Sequence, residues 1–109
     1  MQAHALQLHE EELVMDNSRD TELQSWVTNR CSISHFILLL FEDLSWLGKV
    51  RLCYNLYSKE LVDYVPDSIK DRFYVYSMFH DIYMSDQDLN EITNEVRNSY
   101  VRLSSINSQ

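Results

Sequence analysis

Three observations predict an all-helical fold. The 109 residues contain one glycine, Gly48, and one proline, Pro66, and these two residue types supply most of the turn conformations that hairpins and tight loops require. Capping-box spacings occur at Thr21/Gln24, Ser68/Asp71 and Ser85/Asp88, where paired side chains satisfy backbone donors that a helix start leaves open. Between these points apolar residues recur at helical spacing. The expectation is an all-α, compact single-domain bundle of five or six helices over 1–109, in which 1–17 forms a loosely docked N-terminal arm and 104–109 a frayed polar tail.

The first helix is expected at about 2–16, with Leu6 and Leu13 on a thin apolar side and Glu10, Glu11 and Glu12 on the other. Asn17, Ser18 and Asp20 interrupt it. A second, short helix follows to about Arg30, where Leu23, Trp26 and Val27 give an i, i+3, i+4 face. Residues 33–47 are apolar on nearly every side and read as the central helix, with Trp46 buried among Phe36, Leu40 and Leu44 and the helix closed by Gly48 in a left-handed conformation.

Segment 49–65 carries two patterns at once. Val50, Leu52, Tyr54 and Leu56 alternate as in a strand, whereas Leu52, Leu56, Tyr57, Leu61 and Tyr64 repeat as in a helix. No second segment alternates to pair with a strand, so a helix ending before Pro66 is expected. Two firmer helices follow. Ile69, Phe73, Tyr76, Phe79 or His80, and Tyr83 form the stripe of one; Leu89, Ile92, Val96 and Leu103 form that of the next.

Charge and composition narrow the function classes. Seventeen acids against nine bases give a net charge of −8, a field that repels nucleic acid and anionic membranes. The longest apolar run, 36–41, falls far short of the roughly twenty residues a membrane span needs. Residues 1–15 have neither the basic start nor the apolar run of a secretory signal, so Cys31 and Cys53 read as reduced thiols of a cytoplasmic protein.

Catalytic and metal chemistry find little support. Phosphate-cradling loops and nucleophile elbows need glycines that this chain lacks. Glu42 and Asp43 lie in an apolar segment as a candidate acid pair, but one solvated edge of a buried helix explains them as well. His9 and Glu12 stand one turn apart with Glu10 and Glu11 beside them, which resembles half of a metal site, and the Glu-x-x-His motif of di-iron bundles does not occur. Neither cofactor nor metal is expected, nor is enzyme activity.

The tyrosines remain. Six of the seven, Tyr54, Tyr57, Tyr64, Tyr74, Tyr76 and Tyr83, fall within thirty positions, with Asp63, Asp71 and Asp81 among them. Helical periodicity buries only part of so dense a set, and exposed rings beside acids suit contact with a basic or apolar protein surface. The expected function is therefore that of a small acidic protein-binding module, of the inhibitor, immunity-type, chaperone or adaptor kind, acting on another protein or on a second copy of itself. The alternative is a helical DNA-binding regulator, dimeric through its last helix. At physiological salt, fluorescence polarisation with a generic DNA duplex should show no micromolar binding, and tight, steeply salt-dependent binding would contradict the charge argument.

Overall fold

The computed structural model describes residues 30–107, with side chains over 33–104. This span folds into α1 (Arg30–Asp43), α2 (Trp46–Ser58), α3 (Lys70–Tyr83) and α4 (Asp86–Asn107), with single 3-10 turns at Val62–Tyr64 and Asp67–Ile69 between α2 and α3. No strand occurs among the described residues. These hold four α-helices rather than five or six; the expected arm 1–17, the helix at 2–16, the Thr21/Gln24 box and nearly all of the second helix lie outside them. Arg30, the expected end of the second helix, is the first described residue and lies in α1, and α4 runs to Asn107, past Ser104, where the polar tail was expected to begin.

The central helix of the sequence reading is in fact two elements. α1 ends at Asp43, and Ser45 starts α2 as its N-cap, its side chain accepting from the Gly48 N–H at 3.2 Å. Glu95 of α4 fastens this corner by accepting from the Ser45 N–H at 2.6 Å and from Ser45 Oγ at 2.8 Å. Gly48 therefore sits inside the first turn of α2 with an ordinary negative φ, not at a helix end. Its missing side chain serves close approach: a Cβ there would stand 2.5 Å from Glu95 Oε2.

The left-handed stop comes at Glu60 instead, with φ 58°. Leu61 N–H bonds to the Leu56 carbonyl at 2.9 Å and Glu60 N–H to that of Tyr57 at 3.1 Å, a pattern that satisfies the last carbonyls of α2 and turns buried Leu61 back onto the core. Hence α2 stops at Ser58, short of the expected Val65, while the helical reading of 49–58 over a strand holds. Of the two capping boxes within the described residues, one forms. Ser85 Oγ accepts from the Asp88 N–H at 3.2 Å and Asp88 accepts from the Ser85 N–H at 3.2 Å. Ser68 instead lies in the 3-10 turn, and α3 begins without a side-chain cap.

The core is built on α1. Ile33, Phe36, Ile37, Leu40 and Phe41 are buried, whereas His35, Leu39, Glu42 and Asp43 form an exposed edge. α4 closes one side with Ile92, Val96 and Tyr100, whose ring meets Phe36 edge-on at 5.5 Å. α2 and the turns close another with Leu52, Leu56, Tyr64 and Ile69. Ser34 Oγ donates to the Tyr64 carbonyl at 2.8 Å, fastening the linker to α1. Trp46 is not part of this core. It is 42% exposed, because the break at Ser45 moves it to the first position of α2, outside the apolar stripe of α1.

Leu40 is fully buried at the centre, so Leu40→Ala should lower stability by about 2 to 5 kcal/mol in chemical denaturation; a loss under about 1 kcal/mol would show that α1 is not the centre of the core. A second expectation comes from Asp43, the last residue of α1. It accepts from Ser99 Oγ at 2.5 Å and pairs with Arg102, both of α4. The Ser99 hydrogen bond, and then the Arg102 guanidinium, hold its carboxyl below the ordinary value of 3.8. In acid the unfolded chain thus takes up this proton before the folded one, and the pair's stabilisation, complete above that value, is lost as pH falls through the lowered one. Urea midpoints measured from pH 6 to pH 2 should converge for wild type and Asp43→Asn as acidity rises; parallel curves would contradict the coupling.

Candidate functional site

α3 is where the fold leaves apolar surface open. It packs mainly against α2 and the turn before it, placing Phe73, Ser77 and His80 inward. Tyr76 stacks on Phe41 of α1, centroids 5.9 Å apart, and the Arg72 guanidinium lies over the same ring at 5.1 Å. The sequence of α3, KDRFYVYSMFHDIY, is apolar around most of its circumference, yet one broad flank is covered. Tyr74, Val75, Met78, Ile82 and Tyr83 are exposed at 46, 47, 73, 69 and 52%. Met78 follows Tyr74 and Val75 at spacings of four and three, and Ile82 follows Met78 at four, which makes the exposure one ridge rather than scattered rings.

Aromatic side chains flank the ridge on both sides. On one side Trp46 meets Tyr83 edge-on at 5.3 Å, Phe79 at 6.0 Å and Tyr76 at 6.2 Å. On the other, in the seam between α2 and α3, Tyr54, Tyr57, Tyr74, Ser77, Met78 and Asp81 line a pocket of about 300 Å³. Tyr57 also borders a shallower depression of about 510 Å³ with Ser58, Glu60, Val62 and Asp63.

A polar relay stiffens the seam. The Tyr54 ring stacks on the His80 imidazole, centroids 3.8 Å apart and 14° from parallel. Arg51 Nη1 lies 2.9 Å from His80 Nε2, and His80 Nδ1 lies 3.3 Å from Asp81 Oδ1. Guanidinium only donates, so Nε2 accepts and the neutral ring carries its proton on Nδ1, donating to Asp81. This relay crosses from α2 to α3 and ends on a carboxylate whose side chain is 86% exposed.

The predicted site residues thus divide. Tyr54, Tyr57, Tyr74 and Asp81 converge on the pocket; Tyr76 and Tyr83 belong to the Trp46 cluster. Asp63 borders the second depression, and Asp71 is exposed in the first turn of α3. Tyr64 is a correction: at 7% exposure its ring is a core residue, because the turn Val62–Tyr64 folds back onto α1. Val75, Met78, Ile82 and Trp46 were missed. The available signal was the width of the apolar arc formed by Tyr74, Val75, Met78, Phe79 and Ile82.

Other chemistry is sparse. Burial pushes the Cys53 thiol up to about 12, against a weaker opposing pull from Arg72, so it is a poor nucleophile at neutral pH. Glu42 and Asp43 are exposed and form the solvated edge of α1. Among the described residues no three His, Cys, Asp or Glu side chains group to hold a metal, and no helix is long and apolar enough to cross a membrane; His9 and Glu12 lie outside them. Among known proteins no family model, curated sequence or solved structure matches this chain.

Native Cys53 should accordingly resist iodoacetamide at pH 8 and react at the rate of a free thiol in denaturant. Fast native alkylation, located by peptide mapping, would contradict its burial.

Proposed function

We propose that this chain is a small cytoplasmic protein-binding module that works by contact and not by catalysis, and that the outer face of α3 is its docking surface. The observation that carries this reading is the uncovered ridge Tyr74, Val75, Met78 and Ile82 with Trp46, Tyr83 and Tyr57 beside it. A contiguous exposed apolar surface of this kind marks a binding site. Aromatic and methionine side chains are also those enriched in interface cores.

The occupant is a different protein with an apolar strip and basic side chains around it. Asp71 and Asp81 border the ridge and Asp63 lies beyond Tyr57, so a basic rim on the partner complements it. A second copy would set −8 against −8. The chain's own residues 1–29 carry six acids against Arg19 alone, and they complement an acidic rim no better. Three of the nine bases are engaged within the fold, which supports a protein partner over a nucleic acid: Arg102 with Asp43, Lys49 Nζ with the Leu44 carbonyl at 2.8 Å, and Arg51 with His80. Inhibitor, immunity-type, chaperone and adaptor roles all use such a contact.

Val75→Asp and Ile82→Asp place charge in the middle of the ridge at exposed positions and should leave the circular dichroism spectrum unchanged. Each should weaken a partner captured from the source cells and re-purified by roughly tenfold or more, the effect of losing a central anchor. Sedimentation of the free protein should show a monomer. Undiminished partner binding by both variants, or self-association that both variants abolish, would contradict the reading.

A further inference from the structure

We propose that the pocket between α2 and α3 holds the guanidinium of an arginine side chain, an inference that rests on the contact function above and gives one anchor of that contact its chemistry. The pocket wall is made of Tyr54 and Tyr57, one turn apart on α2, and Tyr74 and Met78, one turn apart on α3, with Asp81 a further turn on. Three tyrosine rings lining one pocket of about 300 Å³ offer π-faces to a cation. The Tyr54 ring is held in place from behind by its stack on His80, so one wall is formed before any ligand arrives.

Asp81 supplies the opposite charge. Its side chain is 86% exposed, and Oδ1 accepts from His80 Nδ1, which orients the carboxylate while leaving acceptor capacity for a two-pronged donor. Ser77 Oγ already donates to the Tyr74 carbonyl at 2.9 Å, so its proton does not compete with an incoming cation. The protein's own base in this relay, Arg51, is bound at Nε2, and the imidazole stands between it and Asp81.

Rings and carboxylate together select the type of cation. A guanidinium is flat, weakly hydrated and carries a fork of donors, so it can lie against a tyrosine face while bonding Asp81 through its edge. A trimethylated ammonium has no N–H for the carboxylate, and a lysine ammonium is a strongly hydrated point charge with no face to stack. An arginine on the partner also meets the net charge of −8.

The test uses the 109-residue chain and the peptide acetyl-Gly-Arg-Gly-amide, with citrulline, lysine and trimethyl-lysine peptides in parallel, followed by the ring resonances of the tyrosines in NMR. The arginine peptide should shift Tyr57 and Tyr74 saturably in the millimolar range, and the uncharged citrulline peptide should bind roughly tenfold more weakly or not at all. Asp81→Asn and Tyr57→Leu, both at exposed positions, should each reduce the arginine response by a similar factor with the helical spectrum retained. Equal shifts with citrulline, tighter binding of the trimethyl-lysine peptide, no saturable shift, or a response unchanged in both variants would each overturn the assignment. The two readings fail separately. If the arginine response is absent while Ile82→Asp still abolishes partner binding, the pocket assignment alone falls; a partner indifferent to Ile82→Asp removes the contact reading itself.

Discussion

The corner between α1 and α2 is the joint on which the arrangement depends. The helical spacing of Ile37, Leu40, Phe41 and Leu44 would favour continuing α1, and the chain turns at Ser45 because two sets of partners reward the turn. Ser45 caps the new helix through Gly48, and Glu95, fifty residues later, bonds both the Ser45 amide and its hydroxyl. A carboxylate at a helix N-terminus also meets the positive end of the helix dipole. The bare Cα of Gly48 lets Glu95 come this close. One residue of α4 thereby sets the direction in which α2 leaves α1.

Everything outward follows from that direction. α2 presents Leu52 and Leu56 to the core and Arg51, Tyr54 and Tyr57 to the seam where α3 docks. α3 follows the left-handed stop at Glu60 and two 3-10 turns, and α1 is packed by α2, α4 and the linker. α3 therefore packs chiefly on α2 and keeps a flank uncovered. The same corner carries Trp46 out of the core and into contact with Tyr76, Phe79 and Tyr83. The open aromatic surface is thus a consequence of α3 packing chiefly on α2 while α2, α4 and the linker enclose α1.

How far the sequence revealed this depends on whether the signal was local. The helical class was legible from the scarcity of glycine and proline, and the Ser85/Asp88 cap from its spacing, because both act within a few residues. Phe73, Ile92 and Val96 were legible as core from periodicity. The break at Ser45 was not, since its decisive partner, Glu95, is fifty residues away. Gly48 was misread as a stop for the same reason: a glycine that allows close approach looks, in sequence, like one that allows a left-handed turn. In the site, the convergence of Tyr54, Tyr57 and Tyr74 with Asp81 was half visible as a dense run of rings. Which rings face outward depended on the α2 to α3 packing, and Tyr64 turned inward with its linker.

The most direct test of this account is a double-mutant cycle at the corner, measuring the unfolding free energies of Ser45→Ala, Glu95→Ala and the pair. Each single variant removes a bond to a charged group or a cap, a loss of about 1 to 2 kcal/mol. If the two side chains act as one joint, the double variant should cost less than the sum by about 1 kcal/mol, and in a Trp26→Phe background Trp46 fluorescence should shift in both singles. Additive losses with an unchanged Trp46 signal would mean that the corner forms without Glu95, and the dependence of the outer surface on it would be wrong.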